Sequence, residues 1–236
     1  MRLVFLSDTH CQMDMIKYKV PDGDVLIHCG DWTYSGTVKE FMKEIDIFNM
    51  LPHEHKILCV GNHERFAERL GIRFVQELCE PSIVLHNESA VINDVKFYGS
   101  ASTKWFHNWA FNIRGYDNLT KEWKQIDEDT DILFTHGPPF GQLDKAVFEG
   151  QNLGDEALWT RVQHLPELRI HAFGHIHGSA QVKYNYSLDK FFVNASICNE
   201  QYYPNNWPIV MDYDPITKQV QHISGPDKPD SIPLSK

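Results

Sequence analysis

Short apolar runs separated by polar turns set the rhythm of this chain. Leu3–Leu6, Val25–Cys29, Ile57–Val60, Ile132–Thr135 and Ile170–Phe173 are runs of four or five mostly apolar residues. Runs of that length, bounded by turn signals, read as strands buried on both faces. Each ends in a polar turn: Ser7-Asp8-Thr9-His10, Gly30-Asp31, Gly61-Asn62-His63, His136-Gly137-Pro138-Pro139 and Gly174-His175-Ile176-His177. Between the runs the period changes. Apolar residues at 38, 41, 42, 45 and 48 predict a helix over Val38–Phe48, because that spacing lines one helical face. Arg65–Leu78 and Asp155–Val162 read the same way. Ser82–His86, Val95–Gly99 and Phe191–Asn194 read as antiparallel strands, and Ile209–Tyr213 is a further candidate.

Strand, polar turn and helix in repetition predict an α/β fold. Ligands of open α/β sheets collect beyond the strand C-termini, so the five turns are expected to converge on one sheet edge. The chain has 236 residues, 42% hydrophobic and 23% charged. That is a globular composition with enough length for a substantial core. No internal repeat, linker or compositional break marks a second unit. Residues 1–224 are therefore expected to form one domain, followed by a tail, 225–236, carrying Pro226, Pro229 and Pro233.

Charge narrows the partners. Lys and Arg number 22 against 32 Asp and Glu, a net charge of −10. Such a surface repels long polyanions, so no nucleic-acid polymer is expected as a partner. A phosphate held by bound metal stays open, because metal reverses the local sign. The cysteines (Cys11, Cys29, Cys59, Cys79 and Cys198) are odd in number and form no C-x-x-C pair. They read as reduced thiols. The first apolar run turns polar at Ser7-Asp8, too early for a signal-peptide core, and no stretch approaches a membrane span. A cytoplasmic location without membrane association is expected; the oligomeric state is left open.

Thirteen histidines change the picture. Taken together the turns offer Asp8, His10, Asp31, Asn62, His63, His136, His175 and His177. Singly, Asp8-Thr9-His10 reads equally as a helix cap and Gly30-Asp31 as a common turn. In this order, each after an apolar strand, they point to a metal site. Two divalent cations want carboxylate oxygen and imidazole nitrogen, with one carboxylate shared. Asp-x-His and His-x-His would put two such side chains on one side of an extended turn. The glycines before Asp31, Asn62 and His175 allow unusual backbone angles and close approach.

Asp8-x-His10, Gly30-Asp31, Gly61-Asn62-His63-Glu64, His136 and Gly174-His175-x-His177 resemble the signature of the calcineurin-like metallophosphoesterases. Thr135-His136-Gly137-Pro138-Pro139, Trp105–Asn112, Phe173–His177 and Val193-Asn194-Ala195-Ser196 resemble its metallophosphoesterase-domain-containing branch. The resemblance implies a four-layer α-β-β-α sandwich and two divalent ions, manganese, iron, zinc or nickel, with manganese favoured for activity. It implies Asp8, His10 and His177 on the first ion, and Asn62, His136 and His175 on the second. Asp31 would bridge, and His63 would face the leaving group. Some members of the branch lack the histidine found here at 175, so the second site is expected to be complete. The implied nucleophile is a hydroxide shared by ions about 3.5–4 Å apart. His63 and Asp31 are thus the expected catalytic residues, and Asn62 and His63 the first substrate contacts.

Two departures narrow the substrate. Ser/Thr protein phosphatases of the superfamily carry arginines where this chain has Ser35 and Val60, and an aspartate at Tyr34. Those arginines would clamp a phosphate dianion bidentately. Their absence favours a small phosphodiester, cyclic nucleotides included, over a monoester. Trp32, Tyr34, Trp105, Phe106, His107 and Trp109 are candidates for stacking a base; Trp32, Trp105 and His107 are singled out as substrate contacts. The alternatives are a phosphomonoesterase on the same site, and a metal-stabilised scaffold that binds a partner with little turnover.

Overall fold

In a computed structural model describing residues 1–146 and 150–225, the apolar runs form strands within one residue or two of their expected bounds. In chain order these are β1 (Arg2–Leu6), α1 (Met13–Ile16), β2 (Val25–Cys29), α2 (Val38–Asn49), β3 (His55–Cys59), α3 (Arg65–Leu70) and α4 (Ile72–Cys79). There follow β4 (Ile83–Val84), β5 (Glu88–Ile92), β6 (Val95–Ser100), β7 (Thr103–Lys104), β8 (Asn112–Ile113) and α5 (Tyr116–Trp123). The rest are β9 (Ile132–Thr135), α6 (Glu156–Gln163), β10 (Ile170–Phe173), β11 (Gln181–Asn185), β12 (Lys190–Asn194), β13 (Ile209–Tyr213) and β14 (Val220–Ser224).

Two six-stranded sheets carry the fold, in the orders β14-β13-β1-β2-β3-β4 and β11-β12-β10-β9-β6-β5. Alternate residues of their strands meet between the sheets. Leu3, Phe5, Ile27 and Ile57 of the first pack with Phe97, Ile132, Phe134 and Ile170 of the second. The other residues of the same strands face outward onto helices. Val4, Leu26 and Leu58 pack with Phe41, Ile45 and Phe48 of α2, and Leu133, Phe173 and Phe192 pack with Trp123 of α5 and Leu158 of α6. The result is the four-layer α-β-β-α sandwich. Both faces of each central strand are covered, which explains the unbroken apolar runs.

Several expectations are corrected. The five site strands belong to two sheets, so the turns converge where the sheet ends meet, and Ser7 and Ser196 pair across that seam. The helix expected over 65–78 breaks at Gly71, whose φ of 89° lies outside the helical region and separates α3 from α4. The strand expected over 82–86 is only Ile83–Val84 and runs parallel to β3. β6 and β12 are antiparallel to edge strands β5 and β11 but parallel to β9 and β10. Of the proline-bearing tail, 226–236 lie outside the described residues. No described helix is long and apolar enough to cross a membrane.

Candidate metal centre

The site is built where β1, β2, β3, β9 and β10 end. Asp8, His10, Asp31 and His175 have φ of 52°, 41°, 56° and 67°. Left-handed backbone costs a residue with a side chain about 1 kcal/mol or more. The turns are therefore not the extended geometry expected for Asp-x-His; they are wound tightly enough to aim successive side chains inward. Cross-strand bonds hold them, with Asp8 N–H donating to Gly30 O (2.9 Å) and His10 N–H to Asp31 O (3.2 Å). Close approach explains two glycines. A Cβ on Gly174 would collide with Asp8 Oδ2 and Ser7 Oγ, and one on Gly61 with Asp31 Oδ1.

Three overlapping clusters result: Asp8, His10 and His177; His10, Asp31 and His63; Asp31, His136 and His175. Asp31 is shared by two of them. Its Oδ1 accepts from His63 N–H (2.9 Å). Its Oδ2 stands 3.3 Å from His136 Nε2 and 3.9 Å from Nε2 of both His10 and His63. Asn62 Oδ1 lies 2.8 Å from His136 Nε2. Asp8 lies 3.2 Å from His177 Nε2 and accepts from His175 N–H and Ser196 Oγ.

The imidazoles are oriented from behind. Nδ1 of His10, His63, His136 and His177 lies 2.9–3.0 Å from the carbonyls of Thr33, Tyr34, Cys29 and Asn199 respectively. A carbonyl only accepts, so each Nδ1 carries a proton and each Nε2 is the nitrogen turned into the site. Backbone anchoring of this kind fixes the tautomer of metal-ligating histidines. Nε2 of His10 and of His177 face each other at 3.2 Å. Two acceptors at that distance require a proton or a cation between them. Carboxylate oxygen, amide oxygen and imidazole nitrogen together suit a borderline divalent ion.

The electrostatics agree. Burial opposes charge on both aspartates, yet His177 beside Asp8 and His136 beside Asp31 hold the carboxyls below the usual range. Burial pushes His10 and His175 down to about 4, which keeps them neutral. Burial likewise opposes charge on His136, but the Asp31 carboxylate overcomes it and raises the imidazole to about 9.

The sequence profile described as calcineurin-like phosphoesterase matches residues 1–179. The chain belongs to that family. It is 36% identical over 233 residues to metallophosphoesterase domain-containing protein 1 of Homo sapiens, covering 89% of this chain and 70% of that protein. The structure of TT1561 of Thermus thermophilus superposes with a TM-score of 0.61 at 8% identity, over 94% of this chain and 97% of that one. A dimetal phosphatase from Danio rerio gives 0.57 at 9% identity, over 89% and 91%. At such identities the solved structures speak for the fold alone. As a calcineurin-like phosphoesterase the chain is a metal-dependent phosphoric ester hydrolase with a dinuclear divalent centre.

The aromatic residues divide. Trp32 is a correction: it is fully buried, stacked on His28 at 3.5 Å, with Nε1 donating to Cys59 O, and offers no face to a ligand. The left-handed Asp31 turns the chain there, so the next side chain points into the core. Trp105 is 44% exposed and carries the Arg114 guanidinium 4.1 Å above its ring. His107 lies on the exposed side of the same loop, edge-on to Phe106 at 4.3 Å. Phe106 approaches His175 at 6.2 Å. Trp109 stacks on His63. Beside His175 a cavity of about 400 Å³ is lined by Lys104, Trp105, Phe106, Asn152 and Leu153 among others.

Sequence reasoning assigned no role to the residues behind the ligands. Glu64, fully buried, accepts from the backbone N–H of Gly61, Asp31, Trp32 and Thr33 and from Thr33 Oγ1, pinning the Asp31 turn to the Asn62 turn. Ser196 orients Asp8, and Asn194 Nδ2 donates to Ile176 O between the two histidines of the last turn. Both motifs were visible as strings, but a string does not show which atoms face each other. Tyr202, whose ring lies 4.7 Å from His10, had no sequence signal.

Proposed function

We propose that this calcineurin-like phosphoesterase is a phosphodiesterase for small diesters, with cyclic nucleotides among its candidates. Asp8, His10 and His177 would hold one divalent ion, and Asn62, His136 and His175 the other, with Asp31 shared. Two bound divalent ions supply Lewis acidity and a water of lowered pKa. Manganese is the ion we expect to support turnover. Asn62 and His63 face the phosphoryl group. His63, anchored through Nδ1–H on Tyr34 O, would as the imidazolium give its Nε2 proton to the departing oxygen as the P–O bond breaks, typically worth about 10²–10⁴ in rate. Trp105, Phe106 and the outlying His107 form one wall for the second ester group. The shared core between the sheets supports reading residues 1–224 as one catalytic unit, and the five free thiols fit a reducing, cytoplasmic setting.

The observation that carries the diester reading is the absence of a cation clamp at the positions used by the protein phosphatases. Val60 is buried and Ser35 is exposed, and neither carries a charge. Arg65, which opens α3, and Arg114 lie over Trp109 and Trp105. A monoester near neutral pH carries close to two charges and a diester one, so the diester asks less of the site. Comparing bis(p-nitrophenyl) phosphate with p-nitrophenyl phosphate, with manganese and after chelation, tests this. The diester should show the higher kcat/KM, and chelation should abolish both rates. A monoester preference would establish a phosphatase instead. Failure of the metal-loaded protein to turn over either would point to the scaffold reading.

A further inference from the structure

We propose that Trp109 is the positioning residue of His63, fixing the plane of its imidazole so that Nε2 meets the leaving oxygen. The inference rests on the reading of His63 as proton donor. Three contacts define the ring. Nδ1 is held by Tyr34 O at 2.9 Å, which stops rotation within the ring plane. His10 meets it edge-on at 4.7 Å and 72°. Trp109 lies nearly parallel to its face, at 4.4 Å and 21°, and stops the plane from tilting. The His63 side chain is only 9% exposed, so these contacts enclose it.

Trp109 is itself held in register with His63. The next residue, Ala110, donates its N–H to Asn62 O (3.2 Å), the carbonyl immediately before His63. Phe111 N–H donates to Glu68 Oε1 (2.8 Å), and the Arg65 guanidinium lies 4.5 Å from the indole. The tryptophan loop is thus tied at three points to the segment that carries His63. Guanidinium and imidazole both pack on the indole, so this ring supports a catalytic side chain. Proton transfer is steeply sensitive to placement, a misplacement of about 1 Å costing up to roughly 10²-fold.

A series of aryl methyl phosphates, from p-nitrophenyl to phenyl, separates the possibilities. In Trp109→Leu, kcat should fall about tenfold for the phenyl ester and less than about twofold for the p-nitrophenyl ester, whose leaving group needs little protonation. KM and bound metal should not change. Trp109→Phe should restore most of the loss, and Trp109→Leu in a His63→Ala background should cost nothing further. If the leucine variant does not fold, Trp109→Tyr and Trp109→Phe are read on the same slope. A loss equal across the series, a rise in KM alone, or additive losses in the double variant would overturn the inference. His63→Ala is the control for the reading beneath it. A flat loss there removes the proton-donor role itself, whereas a steep loss there with a flat loss for Trp109 removes only the positioning role.

Discussion

His136 Nε2 lies 3.3 Å from Asp31 Oδ2 inside a fully buried pair, and the same nitrogen and oxygen are the ones turned toward the centre of the site. Proton and metal therefore compete for one nitrogen. Without metal, the carboxylate raises the imidazole to about 9 against the opposing effect of burial. Metal binding must displace that proton, so affinity should weaken as pH falls below about 9.

Asp31→Asn tests both halves of this relationship. The amide cannot supply the charge that raises His136, so burial should dominate and the imidazole should drop below its ordinary value, readable by NMR of the metal-free protein. Loss of an outer partner of a metal ligand already costs about 10–100-fold in affinity or activity. Loss of the shared oxygen should exceed that, and metal content and turnover should fall together. Two fully bound ions and undiminished turnover in this variant would remove Asp31 from the shared position.

How much of this was legible follows from where each residue lies. β2, β9 and β10 could be read to the residue because both faces are covered, leaving unbroken apolar runs. β5, β11 and β14 are edge strands with sequences ESAVI, QVKYN and VQHIS, half open to water and without a clear alternation. α5 offers only Leu119 and Trp123 to the core, too few for a helical stripe. Periodicity says nothing about which sheet a strand joins, so one expected edge became the meeting of two. The ligands were visible because polar residues directly after buried strands are unusual. Their supports were not: Ser196 reaches Asp8 across 188 residues of sequence, and Trp32 is turned inward by a backbone angle that no composition reveals.

Gly174 should be intolerant of even one methyl group. Its hydrogens occupy the space against Asp8 Oδ2 and Ser7 Oγ, where a Cβ would overlap both. In Gly174→Ala the Asp8 carboxylate must move, abandoning His175 N–H and Ser196 Oγ. Overpacking of this kind costs about 1–3 kcal/mol of stability. The sharper consequence is expected at the centre: one metal lost per chain, with activity down about 10²-fold or more. Metal analysis of the folded variant checks this, and full occupancy with normal turnover would show that the close approach has no part in ligand placement.

Glu44 is not among the candidate metal ligands and should set how stability changes with pH. It sits on the buried face of α2, where Oε2 accepts Met13 N–H at 2.8 Å and Oε1 has no partner among the described residues. Burial pushes its carboxyl up from 4.5 to about 7. A folded-state value raised above the unfolded one means that the neutral acid is the form the fold accommodates. That contribution is complete below 4.5 and is lost as pH rises through about 7. Each pKa unit is about 1.4 kcal/mol, so the alkaline penalty is on the order of 3 kcal/mol. Glu44→Gln keeps an oxygen for Met13 N–H and cannot ionise. The variant should match the parent in urea denaturation under acid conditions and exceed it in alkaline ones, with the two curves parting above about pH 4.5 and the gap complete above about pH 7. An equal shift at every pH would mean that the carboxyl acts through packing and not through its charge.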